Sequence, residues 1–65
     1  MVYRVLFYAG HGDPLYWNCN EKDFVPHDTA HTVYQNCDTA DTWARYAKRN
    51  NPAIAENIFI KGSRR

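Results

Sequence analysis

The feature that most constrains the fold is a helical repeat of apolar residues in the second half of the chain. These residues recur at the spacing i, i+3, i+4 and i+7: Ala40, Trp43, Ala44 and Ala47. The other side of the same segment is polar: Asp41, Arg45, Lys48 and Arg49. This pattern is typical of a helix that buries one face. It predicts a helix over residues 39–50 that packs on another element through its apolar side.

Local signals bound this predicted helix at both ends. Asp38 is a residue type that caps helix N-termini, and Asp41 three residues later approximates a capping box. At the other end, Pro52 cannot continue a helix, and the asparagines at 50 and 51 tolerate the left-handed cap conformation. The sequence therefore predicts that Asp38 is the N-cap and that the helix ends at Asn50.

Four other segments have the composition of β-strands, because they are rich in Val, Ile, Tyr and Phe. They are residues 2–9, 15–19, 32–36 and 56–61. A turn with two glycines and Pro14 separates the first two. The order of elements is β-β-β-α-β. It predicts an α+β fold: a small, mainly antiparallel sheet of about four strands with one helix packed on one face.

The remaining segments are predicted from their local composition. Residues 20–23 are polar and predict a loop, and Pro26 makes the two residues before it extended. In the last strand, Ile58 and Ile60 are expected to point inward, and residues 62–65 are expected to form a frayed tail. The aromatic residues predicted for the core are Tyr3, Phe7, Trp43 and Phe59.

The length of the chain, 65 residues, allows one domain. A domain of this size buries only about 60% of the surface that its unfolded chain exposes, so a large enclosed active site is not expected. No apolar run reaches the roughly 18 residues of a membrane span. The N-terminus lacks the small-residue cleavage site that is typical of a signal peptide. The expected compartment is the cytoplasm, with no membrane partner.

Charge is divided unevenly along the chain, although the net charge is only +1. Residues 1–41 carry two basic and six acidic residues, a net charge of −4, and residues 42–65 carry six basic residues and one acidic residue, a net charge of +5. Such asymmetry indicates an electrostatic partner or packing between the two halves. The alternative is that basic residues gather near a helix C-terminus, where the helix dipole favours them.

Cysteine and histidine residues form a candidate metal site: Cys19, His27, His31 and Cys37. The two histidines have the spacing of ligands on one helical turn, and two thiolates would complete a tetrahedral zinc site. The chain has no Cys-x2-Cys pair, however. A disulfide and two free, packed thiols are the other interpretations, and free thiols are favoured. No cofactor is therefore expected, with a zinc-stapled domain as the alternative.

Catalysis has little support in the sequence. Cys37 with His27 or His31 and Asp28 or Asp38 supplies the residue types of a nucleophile, a base and an orienting group, but in no known spacing. The two nearby glycines at 10 and 12 are followed by Asp and Pro rather than by the start of a helix, so they do not form a phosphate loop. The sequence therefore predicts a protein that is not an enzyme.

Aromatic side chains are in excess, because ten of them are more than so small a core can bury. Those near the first hairpin are predicted to be exposed or half exposed: Tyr8, Tyr16 and Trp17. Tyr, Trp and Arg are enriched at binding hot spots, so these three form the predicted partner-binding patch. The basic helix side is a second predicted surface: Arg45, Lys48 and Arg49. Tyrosines that only fill the rim of the core are the alternative.

The organisation resembles that of small accessory proteins encoded by phages and prophages. The resemblance lies in an opening strand at residues 3–8, a short hairpin, a helix with Asp38, Ala40, Trp43 and Ala44 at matching positions, and a closing strand. It covers most of the chain. It implies a host-takeover or defence-inhibitor protein that binds a host protein stoichiometrically. No functional residue is carried over, because no motif defines one.

These observations favour a small protein-binding module that acts as an inhibitor or adaptor of a larger protein. A homodimer is a further possibility. A nucleic-acid-binding domain that uses the basic helix side is the alternative. Against it, the aromatic residues that would stack on bases lie mostly in the acidic half, and the pI is only about 7.8.

Overall fold

The computed structural model describes residues 1–64. Its elements are β1 (Val2–Phe7), β2 (Leu15–Asn18), β3 (Asp23–Val25), α1 (Cys37–Asn50), a 3₁₀ helix (Pro52–Asn57) and β4 (Ile58–Ser63). The four strands form one antiparallel sheet in the order β3-β2-β1-β4. One α-helix packs against this sheet, so the predicted α+β arrangement is confirmed.

The centre of the sheet is β1, whose six residues all pair with β4. The register runs from Val2 opposite Ser63 to Phe7 opposite Ile58. On its other side β1 pairs with β2 over two residues, Leu6 and Phe7, and the positive φ angles of Gly10 and Gly12 belong to the turn that links the two strands. The first strand is therefore two residues shorter than predicted, although the Tyr8 N–H still donates to the Asn57 carbonyl at 3.1 Å.

The third strand was predicted at residues 32–36, and this prediction is wrong. Asp23–Val25 forms the strand instead, because the polar residues before it make a tight hairpin turn rather than a long loop. The Lys22 N–H donates to the Asn18 carbonyl at 2.7 Å, and Lys22 adopts a φ of 55°. Residues 32–36 contribute only one isolated bridge, between Tyr34 and Tyr3.

The helix begins earlier than predicted, at Cys37, and its N-cap is Asn36 rather than Asp38. The Asn36 side-chain oxygen accepts a hydrogen bond from the Thr39 N–H at 2.8 Å, as N-cap residues do. Asp38 lies in the first turn, where its negative charge interacts favourably with the helix dipole. The predicted C-terminal end at Asn50 is correct, and the 3₁₀ helix starting at Pro52 follows.

The last strand continues through Ser63, so the prediction of a frayed tail is wrong for Gly62 and Ser63. Arg64 is exposed, and Arg65 lies outside the described residues. Pairing with the full length of β1 holds these residues in the sheet. Ile58 is buried as predicted, but two other side-chain predictions are wrong here. Phe59 points to the opposite side of the sheet from Ile58 and is 44% exposed, whereas Ile60 lies on the same side as Ile58 but is 37% exposed in this edge strand.

The hydrophobic core lies between α1 and the face of the sheet that we call the closed face. Its buried residues are Val5, Trp17, Tyr34, Ala40, Ala44, Ala47 and Ile58. Tyr3, Phe7 and Trp43, which were predicted as core residues, are partly buried against this cluster. The helix therefore packs through the small residues of the predicted apolar side, with Trp43 at their margin. We call the other side of the sheet the open face.

Candidate functional site

The open face carries a row of apolar side chains that crosses all four strands. Leu6 of β1 lies opposite Tyr16 of β2 and opposite Phe59 of β4, and Tyr16 lies opposite Val25 of β3. Directly paired residues point to the same side of an antiparallel sheet. We call these four residues the apolar row. Leu6 at its centre is buried, whereas Phe59 at the edge is 44% exposed.

A basic pair lies beside the apolar row, two residues away from it along β1 and β4. Arg4 pairs with Lys61 in the sheet register, so both side chains also lie on the open face. The Arg4 guanidinium makes a bidentate ion pair with Asp28, with Nε–Oδ1 at 3.0 Å and Nη2–Oδ2 at 2.8 Å. Within residues 1–64 the ion pairs are this one and Asp41–Arg45, so Lys61 lacks a carboxylate partner there.

The Asp28 carboxylate is held in place by the loop that carries it. The Thr32 hydroxyl donates to Asp28 Oδ1 at 2.5 Å and accepts from the Thr29 N–H at 2.8 Å. The hydrogen bonds from Arg4, joined by that from Thr32, lower the pKa of the Asp28 carboxyl although partial burial opposes the shift. The same ion pair raises the pKa of Arg4. Both groups are therefore ionised and fixed in position.

A cleft of about 300 Å³ opens where the apolar row meets the basic pair. Its lining residues are Arg4, Leu6, Pro14, Tyr16, Asp28, Lys61 and Ser63. The Arg4 guanidinium reaches across it to the Ser63 hydroxyl at 3.3 Å. The cleft thus combines an apolar floor at Leu6 with two cations and one carboxylate. This arrangement suits an apolar side chain accompanied by an anionic group.

The predicted patch of Tyr8, Tyr16 and Trp17 does not form one surface. The expectation that Trp17 is exposed is wrong: it is 1% exposed and packs in the core on the closed face. Tyr16 precedes it in the same strand and therefore points to the open face, where it is half-buried. Tyr8 follows the end of β1 and is 42% exposed. Alternation along β2 separates the two aromatic neighbours.

Trp17 is instead the centre of an aromatic cluster beneath α1. Its ring lies 5.0 Å from that of Phe24 in an edge-to-face arrangement, and 6.2 Å and 5.9 Å from those of Trp43 and Tyr46. These geometries are favourable for aromatic pairs. The Trp17 carbonyl accepts a hydrogen bond from the Tyr34 hydroxyl at 2.8 Å. This residue therefore stabilises the fold and is not available to a partner.

The basic helix side is exposed as expected, and it lies away from the open face. Arg45, Lys48 and Arg49 are exposed on α1, which covers the closed face. Arg45 Nε lies 3.0 Å from Asp41 Oδ2, at the i,i+4 spacing that the sequence indicated. Lys48 and Arg49 lie in the last turn, where the helix dipole favours cations.

The candidate zinc ligands are not gathered into a site. Within the described part of the chain, no three His, Cys, Asp or Glu side chains form a group that could hold a metal ion. Cys19 is half-buried, whereas His27, His31 and Cys37 are exposed. Both cysteines are free thiols, and the expectation that they are packed is wrong for Cys37, which is exposed. Cys37 occupies the first position of α1.

Comparison with known proteins adds nothing to this geometry. No known protein family matches the chain, and neither a curated protein nor a solved structure shows significant similarity to it. Among residues 1–64, no helix has the length and apolar character needed to cross a membrane.

Sequence reasoning missed most of this surface. It assigned Tyr16 to a binding surface, but it placed Phe59 in the core and did not place Arg4, Leu6 or Lys61 beside Tyr16. A signal was present, because Phe59 and Lys61 share one face of the last strand and Arg4 and Leu6 share one face of the first. The residues that share the cleft depend on the β1–β4 register, and the alternation of residues within each strand does not determine that register.

Proposed function

We propose that this chain is a non-enzymatic protein-binding module that acts stoichiometrically on a larger protein through its open face. The observation that carries the proposal is the apolar row, which crosses the whole sheet. Beside it lies the ammonium group of Lys61, which has no carboxylate partner within residues 1–64. The α-helix and the Ile54 side chain of the 3₁₀ helix pack on the other face. No helix or strand of residues 1–64 covers the apolar row.

The composition of the open face supports this proposal. Tyrosine and arginine are enriched at binding hot spots, and a partly exposed Phe59 supplies apolar area that a partner would remove from water. The cleft, at about 300 Å³, is at the lower limit for small-molecule sites, which span roughly 300–1,000 Å³. It is large enough for a side chain that projects from a protein surface.

Charge indicates the chemistry of the partner. Arg4 and Asp28 neutralise each other, so Lys61 gives the cleft one excess positive charge. A partner that places an apolar side chain in the cleft and a carboxylate near Lys61 would satisfy both parts of the surface. The resemblance to phage-encoded accessory proteins adds the proposal that this larger protein belongs to an infected host cell and that binding inhibits or redirects it.

Capture and reconstitution test the proposal. The chain is immobilised, proteins of the native cell are captured, and the captured protein is purified and titrated with the chain by calorimetry. We expect one-to-one or another fixed stoichiometry, and at least a tenfold loss of affinity for Tyr16→Ala combined with Phe59→Ala. Both side chains are partly exposed, so these variants are expected to stay folded.

The matched control removes three charges from the opposite side of the molecule: Arg45→Ala, Lys48→Ala and Arg49→Ala. Its affinity for the captured protein is expected to change less than twofold. If this control loses binding and the open-face variant does not, the proposed surface is wrong. A salt-sensitive shift of nucleic acid that only this control abolishes would instead favour the nucleic-acid-binding alternative.

A further inference from the structure

The two edges of the sheet differ in how they are protected against pairing with another strand. The β3 edge has three residues, begins with the charged Asp23 and is followed at once by Pro26. Short length, charge and proline are the usual protections of an edge strand. The β4 edge also carries one charge, that of Lys61, but it has six residues and no proline, and residues 59–62 are all exposed. The β4 edge is therefore the one open to a further strand.

The backbone groups that β4 presents follow from the bonding of its neighbour. Tyr3 exchanges two hydrogen bonds of 2.8 Å with Tyr34, on the side of β1 away from β4. Its β4 partner, Gly62, is therefore in a non-hydrogen-bonded pair. In an antiparallel ladder such pairs alternate with hydrogen-bonded ones, so Gly62 directs its N–H and C=O away from β1.

A hydrogen bond at the other end of β4 gives the same alternation of inward-pointing and outward-pointing backbone groups. The Tyr8 N–H donates to the Asn57 carbonyl at 3.1 Å, which makes this a hydrogen-bonded position five residues before Gly62. Alternation then gives Ile60 the same outward direction as Gly62, and the amides of Phe59 and Lys61 point toward β1. Within residues 1–64, neither Ile60 nor Gly62 has a backbone bond outside the β1–β4 pairing. Two residues thus present donors and acceptors to solvent.

We propose that the β4 edge takes up an extended segment of the partner protein in antiparallel pairing, with an acidic residue of that segment opposite Lys61. This inference rests on the proposed function, since it names the part of the partner that is recognised. Main-chain hydrogen bonds to Ile60 and Gly62 would supply affinity, and the side chains on the incoming strand would supply specificity.

Charge complementarity decides between such a segment and a second copy of this chain. Two copies of β4 can use both outward residues of each strand only if Ile60 of one copy lies opposite Gly62 of the other. That register sets Lys61 directly opposite Lys61 of the second copy, on the same face. Like charges in directly opposed positions destabilise a strand pair. A segment with a carboxylate at that position gains an ion pair instead.

The incoming strand would also extend the open face. Its residue opposite Phe59 would lie next to the apolar row, and its acidic residue would lie beside Lys61 and the cleft. The residue opposite Ile60 would point to the helix side, where Ile60 itself is 37% exposed. The recognised segment therefore carries an acidic residue followed by two apolar residues, in the direction of the partner chain.

Peptide binding to the full chain tests this inference. The first probe is a fluorescein-labelled eight-residue peptide in which one glutamate is followed by valine and phenylalanine, with threonine and serine as the flanking residues. The second probe is the same peptide with lysine in place of glutamate. Fluorescence anisotropy at low salt is expected to show at least tenfold tighter binding of the glutamate probe. Lys61→Glu is expected to reverse this preference, and equal affinities of the two probes for the natural chain would overturn the inference.

Backbone chemistry provides the second arm, because a chain of 65 residues is accessible to total synthesis. N-methylation of the Ile60 amide removes an outward donor, and we expect an unchanged circular dichroism spectrum with at least a tenfold loss of affinity for the glutamate probe. N-methylation of the Lys61 amide is the matched control, and it is expected to lower the melting temperature because that donor bonds to β1. Unchanged probe binding by the folded Ile60 derivative would overturn the inference.

The remaining outcomes separate this inference from the proposed function. If sedimentation shows a dimer that the Ile60 derivative dissociates, the second copy is the occupant and the acidic segment is wrong. If neither probe binds while the captured protein still depends on Tyr16 and Phe59, the edge inference fails and the proposed function stands. If the captured protein is insensitive to Tyr16 and Phe59 while the glutamate probe binds at β4, the edge inference stands without the open face.

Discussion

The two faces of one small sheet are built in different ways. The closed face meets α1 through three alanines and Trp17, none of them more than 3% exposed, and the Tyr34 hydroxyl donates a hydrogen bond to the Trp17 carbonyl there. The open face places Tyr16, Leu6 and Phe59 beside the Arg4–Asp28 ion pair and the ammonium group of Lys61, which has no carboxylate partner within residues 1–64. Both faces are aromatic, yet only one has a helix over it.

This difference shows how an aromatic-rich chain of this size divides its side chains between the core and the surface. The closed face holds the side chains that lie between the sheet and α1, such as Trp17, and the loss of one of these leaves a cavity. On the open face Leu6 is buried, but Tyr16 and Phe59 are only partly buried, so the loss of these two costs less in stability and more in any contact with a partner. Substitutions on the two faces should therefore separate stability from binding, and the size of each effect tests the division.

The largest effect is expected for Trp17→Ala. Removing a fully buried aromatic side chain costs about 3–5 kcal/mol of unfolding free energy, because the cavity beneath α1 cannot close completely. Urea denaturation followed by circular dichroism measures it. Phe59→Ala, on the open face, is the matched aromatic control and is expected to change the unfolding free energy by less than about 1 kcal/mol. Equal losses of unfolding free energy in the two variants would contradict the difference between the two faces.

An intermediate effect is expected for the buried hydroxyl of Tyr34. Tyr34→Phe removes the hydrogen bond to the Trp17 carbonyl and leaves that carbonyl unpaired, at a cost of about 1–2 kcal/mol. Burial raises the pKa of the Tyr34 phenol above its ordinary value near 10, so above about pH 10 the unfolded chain loses a proton that the folded chain keeps. Stability is therefore full below about pH 10 and falls as the pH rises further.

Denaturation at two pH values checks this explanation. In Tyr34→Phe, the alkaline fall in stability is expected to be smaller than in the natural chain, because the buried phenol no longer titrates. Tyr8→Phe, which changes an exposed tyrosine, serves as the control and should retain the full fall. An alkaline fall of unchanged size in Tyr34→Phe would contradict the role given to this hydroxyl.

The smallest effect is expected for the ion pair on the open face. Asp28→Asn removes the bidentate partner of Arg4, and since the Asp28 side chain is 40% exposed, solvent screening limits the loss to about 1 kcal/mol or less. The pKa of Asp28 is lowered in the folded chain by Arg4 and Thr32. The unfolded chain therefore binds its proton first, so the stabilisation is present above about pH 4 and is lost as the pH falls through the lowered pKa.

Acid denaturation of both proteins measures this contribution. The difference in unfolding free energy between the natural chain and Asp28→Asn should shrink as the pH falls from 6 to 3 and should shrink also in high salt. A difference that stays constant over this pH range would mean that the carboxylate acts through the shape of its loop rather than through its charge.

The helix and the fold class were predictable because their signals are local. The spacing of Ala40, Trp43, Ala44 and Ala47 determines one apolar side whatever the rest of the chain does, and the end at Asn50 follows from Pro52. The N-cap was misplaced by two residues because Asn36 and Asp38 are both good caps, and only the hydrogen bond to the Thr39 N–H distinguishes them.

The candidate site was less predictable because it depends on distant pairings. Tyr16 and Trp17 look alike in the sequence, and the register with Leu6 and Phe24 decides which of them is buried. The third strand was misplaced because the turn that closes on Asn18 uses a left-handed lysine, which a propensity argument does not favour. Arg4 meets Asp28 across 24 positions of the chain, a contact that no local pattern encodes.

The pairing of Val2 with Ser63 brings residues 1 and 64 to the same corner of the sheet. An affinity handle or fluorescent protein fused at either position would emerge beside β4 and compete with an approaching strand. The exposed turn at Gly10 and Gly12 lies at the far end of β1. A circular permutant opened there and joined through a short linker at the former ends would carry its handle away from that corner. Comparing it with the conventional fusion would report how much of the corner a partner needs.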